Sequence, residues 1–166
     1  MRFSFSPALP LGMEGREEYL EFRSPFQFSE RELLDQVNLY LPEGIQLLRL
    51  EQLKVGEPAI NELIAKMVYS VDLKNPRVVE VLQARAKESP RDTVQRIIEH
   101  WVKKLKEKSD DTIVNVSWDA NQEKIFLTFC YPQRPSSRPQ DIVGTVLGIE
   151  HPNFVMAREE LVLKKT

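Results

Sequence analysis

Few residues in this chain have the types and spacing that chemistry requires. The two histidines, His100 and His151, stand far apart, with no HxxxH or HxxE spacing between ligating groups, so a metal site has no support. His100 sits beside Trp101 in a helical stretch, and His151 in a loop between Gly148 and Pro152; each reads as a structural histidine before it reads as a catalyst. Cys130 alternates with Phe129 and Tyr131 as a strand residue and has no adjacent His to activate it, so it reads as a small buried hydrophobe rather than a nucleophile. Gly12-x-x-Gly15 follows a strand but lacks both the dinucleotide-binding spacing and the Lys-Ser/Thr of a phosphate loop. No catalytic and no metal-ligating set is assigned.

Binding chemistry has better candidates. Residues 7–15 place Pro7, Pro10, Gly12 and Gly15 in apolar sequence, followed by the acidic residues Glu14, Glu17, Glu18 and Glu21 around Tyr19. The prolines fix φ and lack N–H donors, and the glycines permit positive φ or close backbone approach. A rigid loop outside any strand ladder is expected, either as a binding loop or as a crossover that packs Leu9 and Leu11 into the core. The glutamates read as a solvated rim, because inward charge there is costly. Arg134 and Arg138, with Ser136 and Ser137 between them, form a basic loop able to grip phosphate or a partner, or simply a solvated one. Lys103, Lys104, Lys106 and Lys108 end a helix, where cations offset the dipole.

The elements that must position these residues alternate without repeats. Residues 2–6 and 17–23 are short strands. Ser29 and Glu32 form a capping box, Phe28 and Leu33 a hydrophobic staple, and the stripe Leu33, Leu34, Val37 and Leu41 runs to Pro42 and Gly44. Residues 45–55 read as a strand, 58–65 as a short helix and 67–73 as a strand. Asn75-Pro76 opens a helix ending near Glu88, and Ser89-Pro90 a longer one bearing Val94, Ile97, Ile98, Trp101, Val102 and Leu105. Residues 112–118 and 124–131 form a hairpin around the turn at 119–122, Pro139 opens a last helix and residues 153–163 a last strand. The fold class is α+β, with antiparallel or mixed sheets and packed helices. The order suggests two ferredoxin-like halves, residues 1–74 and 75–166, in one compact unit.

Composition narrows the function classes. The chain has 166 residues, 42% hydrophobic and 29% charged, which is globular composition. A net charge of −2 gives no global attraction to nucleic acid. One cysteine excludes an internal disulfide. No apolar run reaches the ~20 residues of a membrane span, and Pro7, Pro10, Gly12 and Glu14 break any signal-peptide core. The cytoplasm is the expected compartment.

The string F-S-F-S-P-A-L-P-L-G-M-E-G-R-E-E-Y-L-E-F, residues 3–22, resembles the signature of a radical-SAM-linked bacterial domain of unknown function. That family occurs as a C-terminal extension or neighbour of radical S-adenosylmethionine proteins, often ones with a cobalamin-binding region. The turn L-P-E-G-I at 41–45 and the helix from Pro139-Gln140-Asp141-Ile142 to Leu147-Gly148 are similar to further family patterns. Members carry more chain before this motif, including an R-F-x-R-x-G strand, an S-H-L-D-type helix start and a G-F-x-P-x-P turn. The resemblance therefore implies that the first half lacks its opening strand and helix, together with the family's His and Asp, leaving a sheet edge open to another copy.

What the resemblance implies is an accessory or substrate-handling domain of a radical SAM system, not itself catalytic. A radical SAM cluster needs three closely spaced cysteines. The iron–sulfur cluster, S-adenosylmethionine and any cobalamin are thus expected only in the partner protein, with no cofactor in this chain. The expected binding residues are Pro7, Pro10, Gly12, Gly15, Tyr19, Arg134 and Arg138. The alternative is an RNA-binding or RNA-processing module of ferredoxin-like type, which would need Arg2, Arg16, Arg134, Arg138 and Arg158 in one patch. A stand-alone enzyme comes third and would need a polar pocket near Tyr19 and Glu21.

Overall fold

A computed structural model describes residues 2–54, 56–85, 96, 99–100, 102–104, 107, 113–132, 138–147 and 156–164. The strands are β1 (Arg2–Phe5), β2 (Met13–Gly15), β3 (Leu20–Arg23), β4 (Ile64–Asp72), β5 (Ile113–Asp119), β6 (Lys124–Cys130) and β7 (Met156–Leu163). The helices are α1 (Glu30–Asn38), α2 (Ile60–Leu63), α3 (Pro76–Arg85) and α4 (Pro139–Leu147). Residues 96, 99–100, 102–104 and 107 are also helical. The class is α+β.

Five strands form the main sheet in the order β2-β7-β4-β6-β5, and β1 and β3 form a separate antiparallel ribbon. β2 runs parallel to β7, while β7, β4, β6 and β5 are antiparallel neighbours. Alternation of apolar residues decides which face is covered. Ile125, Leu127 and Phe129 of β6 are buried, and Phe126, Thr128 and Cys130 between them are only half-buried. Across the ladder, Val71, Tyr69 and Met67 of β4 stand opposite those three buried residues. Val78 and Leu82 of α3 and Val143 of α4 complete this core with Met13, Met156 and Leu161.

A β-bulge sets the parity of β7. Val68 pairs with Glu160 but Tyr69 pairs with Arg158, so Glu159 is an extra residue in the ladder. That insertion puts both Leu161 and Arg158, three apart, on the core face. Glu159 is freed to reach sideways, accepting hydrogen bonds from Ser70 Oγ and from Lys124 Nζ at 2.8 Å. Burial disfavours its charged form, yet these donors outweigh burial and hold the Glu159 carboxyl below its ordinary range.

Several expected elements stand as read. Ser29 caps α1, its hydroxyl accepting from Glu32 N at 3.4 Å, and Asn75 Oδ1 accepts from Arg77 N at 3.1 Å at the head of α3. Two expectations need correction. Residues 45–54 form no strand: Asn38, at the end of α1, uses its side-chain amide to bond both backbone groups of Leu47, at 2.7 and 2.9 Å. Those polar groups are thereby satisfied without a neighbouring strand, and α1 stops before the Pro42 signal. The segment after Pro10 also leaves the loop state, because Met13–Gly15 joins the main sheet beside β7. The helix read from Ser89-Pro90 begins outside the described residues, as do Arg134, His151 and Gly148.

The sheet draws β2 and β4 from residues 1–74 and β5, β6 and β7 from residues 75–166. Among the described residues, no helix is long and apolar enough to cross a membrane.

Candidate functional site

The Pro/Gly segment is fastened to the sheet by one buried cation. Arg158 is 1% exposed and lies on the apolar face, in register with Tyr69 on β4 and Gly15 on β2. An isolated charge there would be untenable, and Glu18 arrives to neutralise it. Arg158 Nε donates to Glu18 Oε1 at 2.7 Å, and Nη2 donates to Glu18 Oε2 and to the Pro7 carbonyl at 2.8 Å. Ser6 Oγ donates to the same carboxylate at 2.8 Å, so Glu18 accepts from three donors.

Gly15 makes this geometry possible. A Cβ on residue 15 would stand 2.8 Å from Glu18 Oε1 and 2.9 Å from its Cγ, inside contact distance. The space left by the missing side chain is where the carboxylate passes to reach Arg158. Burial works against the Arg158 charge, but Glu18 and the neighbouring Tyr69 outweigh it and raise the guanidinium pKa above its ordinary value. Tyr69 is pushed up by burial, only partly offset by Arg158, so its hydroxyl stays protonated. Among the described residues, Arg158 Nη1 is buried without a hydrogen-bond partner.

Above this clamp the loop turns sharply. Met13 N donates to the Pro10 carbonyl at 3.1 Å, and Gly12 has φ +84°, which closes a β-turn through Leu11 and Gly12. Met13, beyond the turn, is buried in the core, and Leu9, before it, packs against that core. Leu11 at the apex is 100% exposed, which the crossover alternative, with Leu11 inside beside Leu9, did not foresee. Pro10 and Gly12 fix the turn that carries Leu11 at its apex. The neighbouring structure on one side is the first turn of α4, where Gln140 lies 3.9 Å from the point a Gly12 Cβ would take.

Pro7, Pro10, Gly12, Gly15 and Tyr19 therefore gather in one construction. Tyr19 is half-buried against the core, and its carbonyl accepts from Ser6 N at 2.9 Å. Arg138 is elsewhere, exposed at the head of α4 and paired with Asp141 at 2.9 Å; that pairing lowers the Asp141 pKa and raises that of Arg138. Arg134 lies outside the described residues. Glu18 corrects the reading of a uniformly solvated rim: it points inward because a buried cation repays its desolvation. Arg158, weighed in the sequence only as one member of a surface patch, is interior. A legible signal was present, since Met156 and Arg158 alternate on one strand face.

Glu18 accepts from three donors, and Arg158 donates to Glu18 and to the Pro7 carbonyl, so the pair ties the segment to the sheet. The ribbon bears an open recess lined by Phe3, Ser4, Glu21, Arg23 and Ala59. Among the described residues, no three His, Cys, Asp or Glu side chains converge as a metal site would require.

A family model described as "uncharacterized protein conserved in bacteria (DUF2344)" matches residues 1–124. The chain belongs to that family. The matched span holds the whole Pro/Gly segment, Glu18 and Tyr69, while Arg158 lies beyond it. No curated protein and no solved structure matches this DUF2344 chain.

Proposed function

We propose that this DUF2344 chain is a non-catalytic binding module of the bacterial cytoplasm that engages a radical SAM protein through its Pro/Gly loop. The observation that carries the reading is Leu11: a fully exposed leucine at the apex of a turn fixed by Pro10, Gly12 and Met13. A large apolar side chain on a rigid loop is the form an interface anchor takes, because little conformational entropy is lost when it enters a pocket. The clamp of Arg158 and Glu18 supports the same reading, since it makes the loop rigid without leaving a reactive group. The choice of partner rests on the resemblance of residues 3–22 to the radical-SAM-linked signature. The iron–sulfur cluster, S-adenosylmethionine and cobalamin would belong to that partner.

The test is co-purification with a radical SAM protein from the same bacterium, comparing the wild type with Leu11→Asp. Loss of the complex with unchanged unfolding is the expected result. Equal retention of both proteins would remove Leu11 from the interface.

A second reading, an RNA-binding module, draws on one observation. Elements β4-α3-β5-β6-α4-β7, in spatial order β7-β4-β6-β5, follow the β-α-β-β-α-β order of a ferredoxin-like unit. The arginines weigh against it: Arg158 is interior with Glu18, Arg16 pairs with Glu14 at 2.9 Å and Arg138 with Asp141. Absence of RNA binding at low salt would dismiss it.

A further inference from the structure

The ribbon of β1 and β3 is a sheet with an unpaired side. Ser6 N bonds the Tyr19 carbonyl, and the register continues Phe5↔Leu20, Ser4↔Glu21, Phe3↔Phe22, Arg2↔Arg23. In an antiparallel ladder the bonded pairs alternate, so Ser4, Glu21, Arg2 and Arg23 bond inward. The backbone N–H and C=O groups of Leu20 and Phe22 then point away from β1, and no described strand lies beside them. Phe3, Phe5, Leu20 and Phe22 share one face of the ribbon. The rings of Phe5, Phe3, Phe22 and Phe28 form a row whose successive centroids are 5.9 to 6.5 Å apart. Phe3 and Phe5 are 51% and 66% exposed. The opposite face carries Glu21 and Arg23, and Glu21 Oε2 also accepts from Ile60 N at 3.2 Å. On β1 the comparable edge is partly occupied, because Asn61 Nδ2 bonds the Phe5 carbonyl at 2.9 Å.

We infer that β3 is a self-association edge, and that its occupant is β3 of a second copy of this chain. Two-fold antiparallel pairing must join outward-facing residues, which leaves two central registers. One sets Glu21 against Glu21 of the other copy, placing like charges directly opposite. The other centres on Phe22 against its own copy and sets Glu21 opposite Arg23 and Arg23 opposite Glu21. Opposite charges facing each other stabilise a cross-strand pair, and like charges destabilise it. Charge therefore selects the Phe22-centred register, which also brings two aromatic rows together at an isologous seam. The product is a four-stranded sheet, β1-β3-β3-β1.

Sedimentation equilibrium of the full chain over a range of concentrations tests this, with Arg23→Glu, Glu21→Arg and the combined charge swap. The wild type should dimerise. Each single reversal should weaken the dimer by about tenfold, because it creates two like-charge pairs. The combined swap should restore it, since it rebuilds both attractive pairs in the same register. Circular dichroism shows that each variant is folded. A monomeric wild type overturns the inference, and so do single reversals without effect or a combined swap that fails to restore the dimer. None of these outcomes touches Leu11, so this edge and the loop reading stand or fall separately.

Discussion

Replacing Glu18 by Ala should destabilise the protein far more than removal of a surface carboxylate. The change leaves the Arg158 guanidinium on the apolar face of the sheet, its charge no longer matched by a carboxylate, and among the described residues Nη1 already has no acceptor. Removing one member of a buried pair costs about 3–5 kcal/mol, whereas an exposed pair contributes about 0–1 kcal/mol. Arg158 is 1% exposed at the side chain but Glu18 is 33% exposed, so the low end applies, about 3 kcal/mol. At about 2–4 °C per kcal/mol for a chain of this size, the midpoint should fall by about 6–12 °C. Urea unfolding followed by circular dichroism measures the loss directly. Arg158→Met should cost less than Glu18→Ala, because the stranded Glu18 can turn toward water. The double variant Glu18→Leu with Arg158→Met should recover a large part of the loss, since it removes both charges. A Glu18→Ala cost within about 0.5 kcal/mol of zero, the range of an ordinary surface change, would refute the clamp.

Three further outcomes follow from the same contacts. Gly15→Ala should act like Glu18→Ala, since its Cβ would expel the carboxylate; urea midpoints of the two should agree. Gly12→Ala should cost about 1 kcal/mol from its positive φ and lower partner affinity, because Leu11 is re-aimed. Glu159 has a folded pKa below its ordinary 4.5, so its contribution is complete above that value and fades as pH falls through the folded pKa. Lys124→Met should flatten that acid limb, as unfolding midpoints measured from neutral pH down to about pH 3 would show.

Local signals carried the elements well wherever the chain's own periodicity decides. The Ser29 cap, the Asn75-Pro76 start and the alternation through Ile125, Leu127 and Phe129 each follow from neighbouring residues. What depends on distant partners was not legible. Residues 45–54 have strand-like composition, but Asn38 takes the hydrogen bonds of Leu47 before a ladder can. Glu18 and Arg158 are 140 positions apart, and the inward turn of Glu18 follows only from Gly15 lying opposite that arginine. The site was legible in half: Pro7, Pro10, Gly12 and Gly15 announced a rigid loop. Which leucine the loop buries and which it presents depended on where the turn closed.

Hydrogen exchange on the chain alone and mixed with the proposed radical SAM partner tests the central claim most directly. Leu11 and Gly12 N–H groups should exchange freely in the isolated chain and become protected in the complex, with protection centred on residues 9–15. A complex that forms without slowing exchange in that loop would contradict the account.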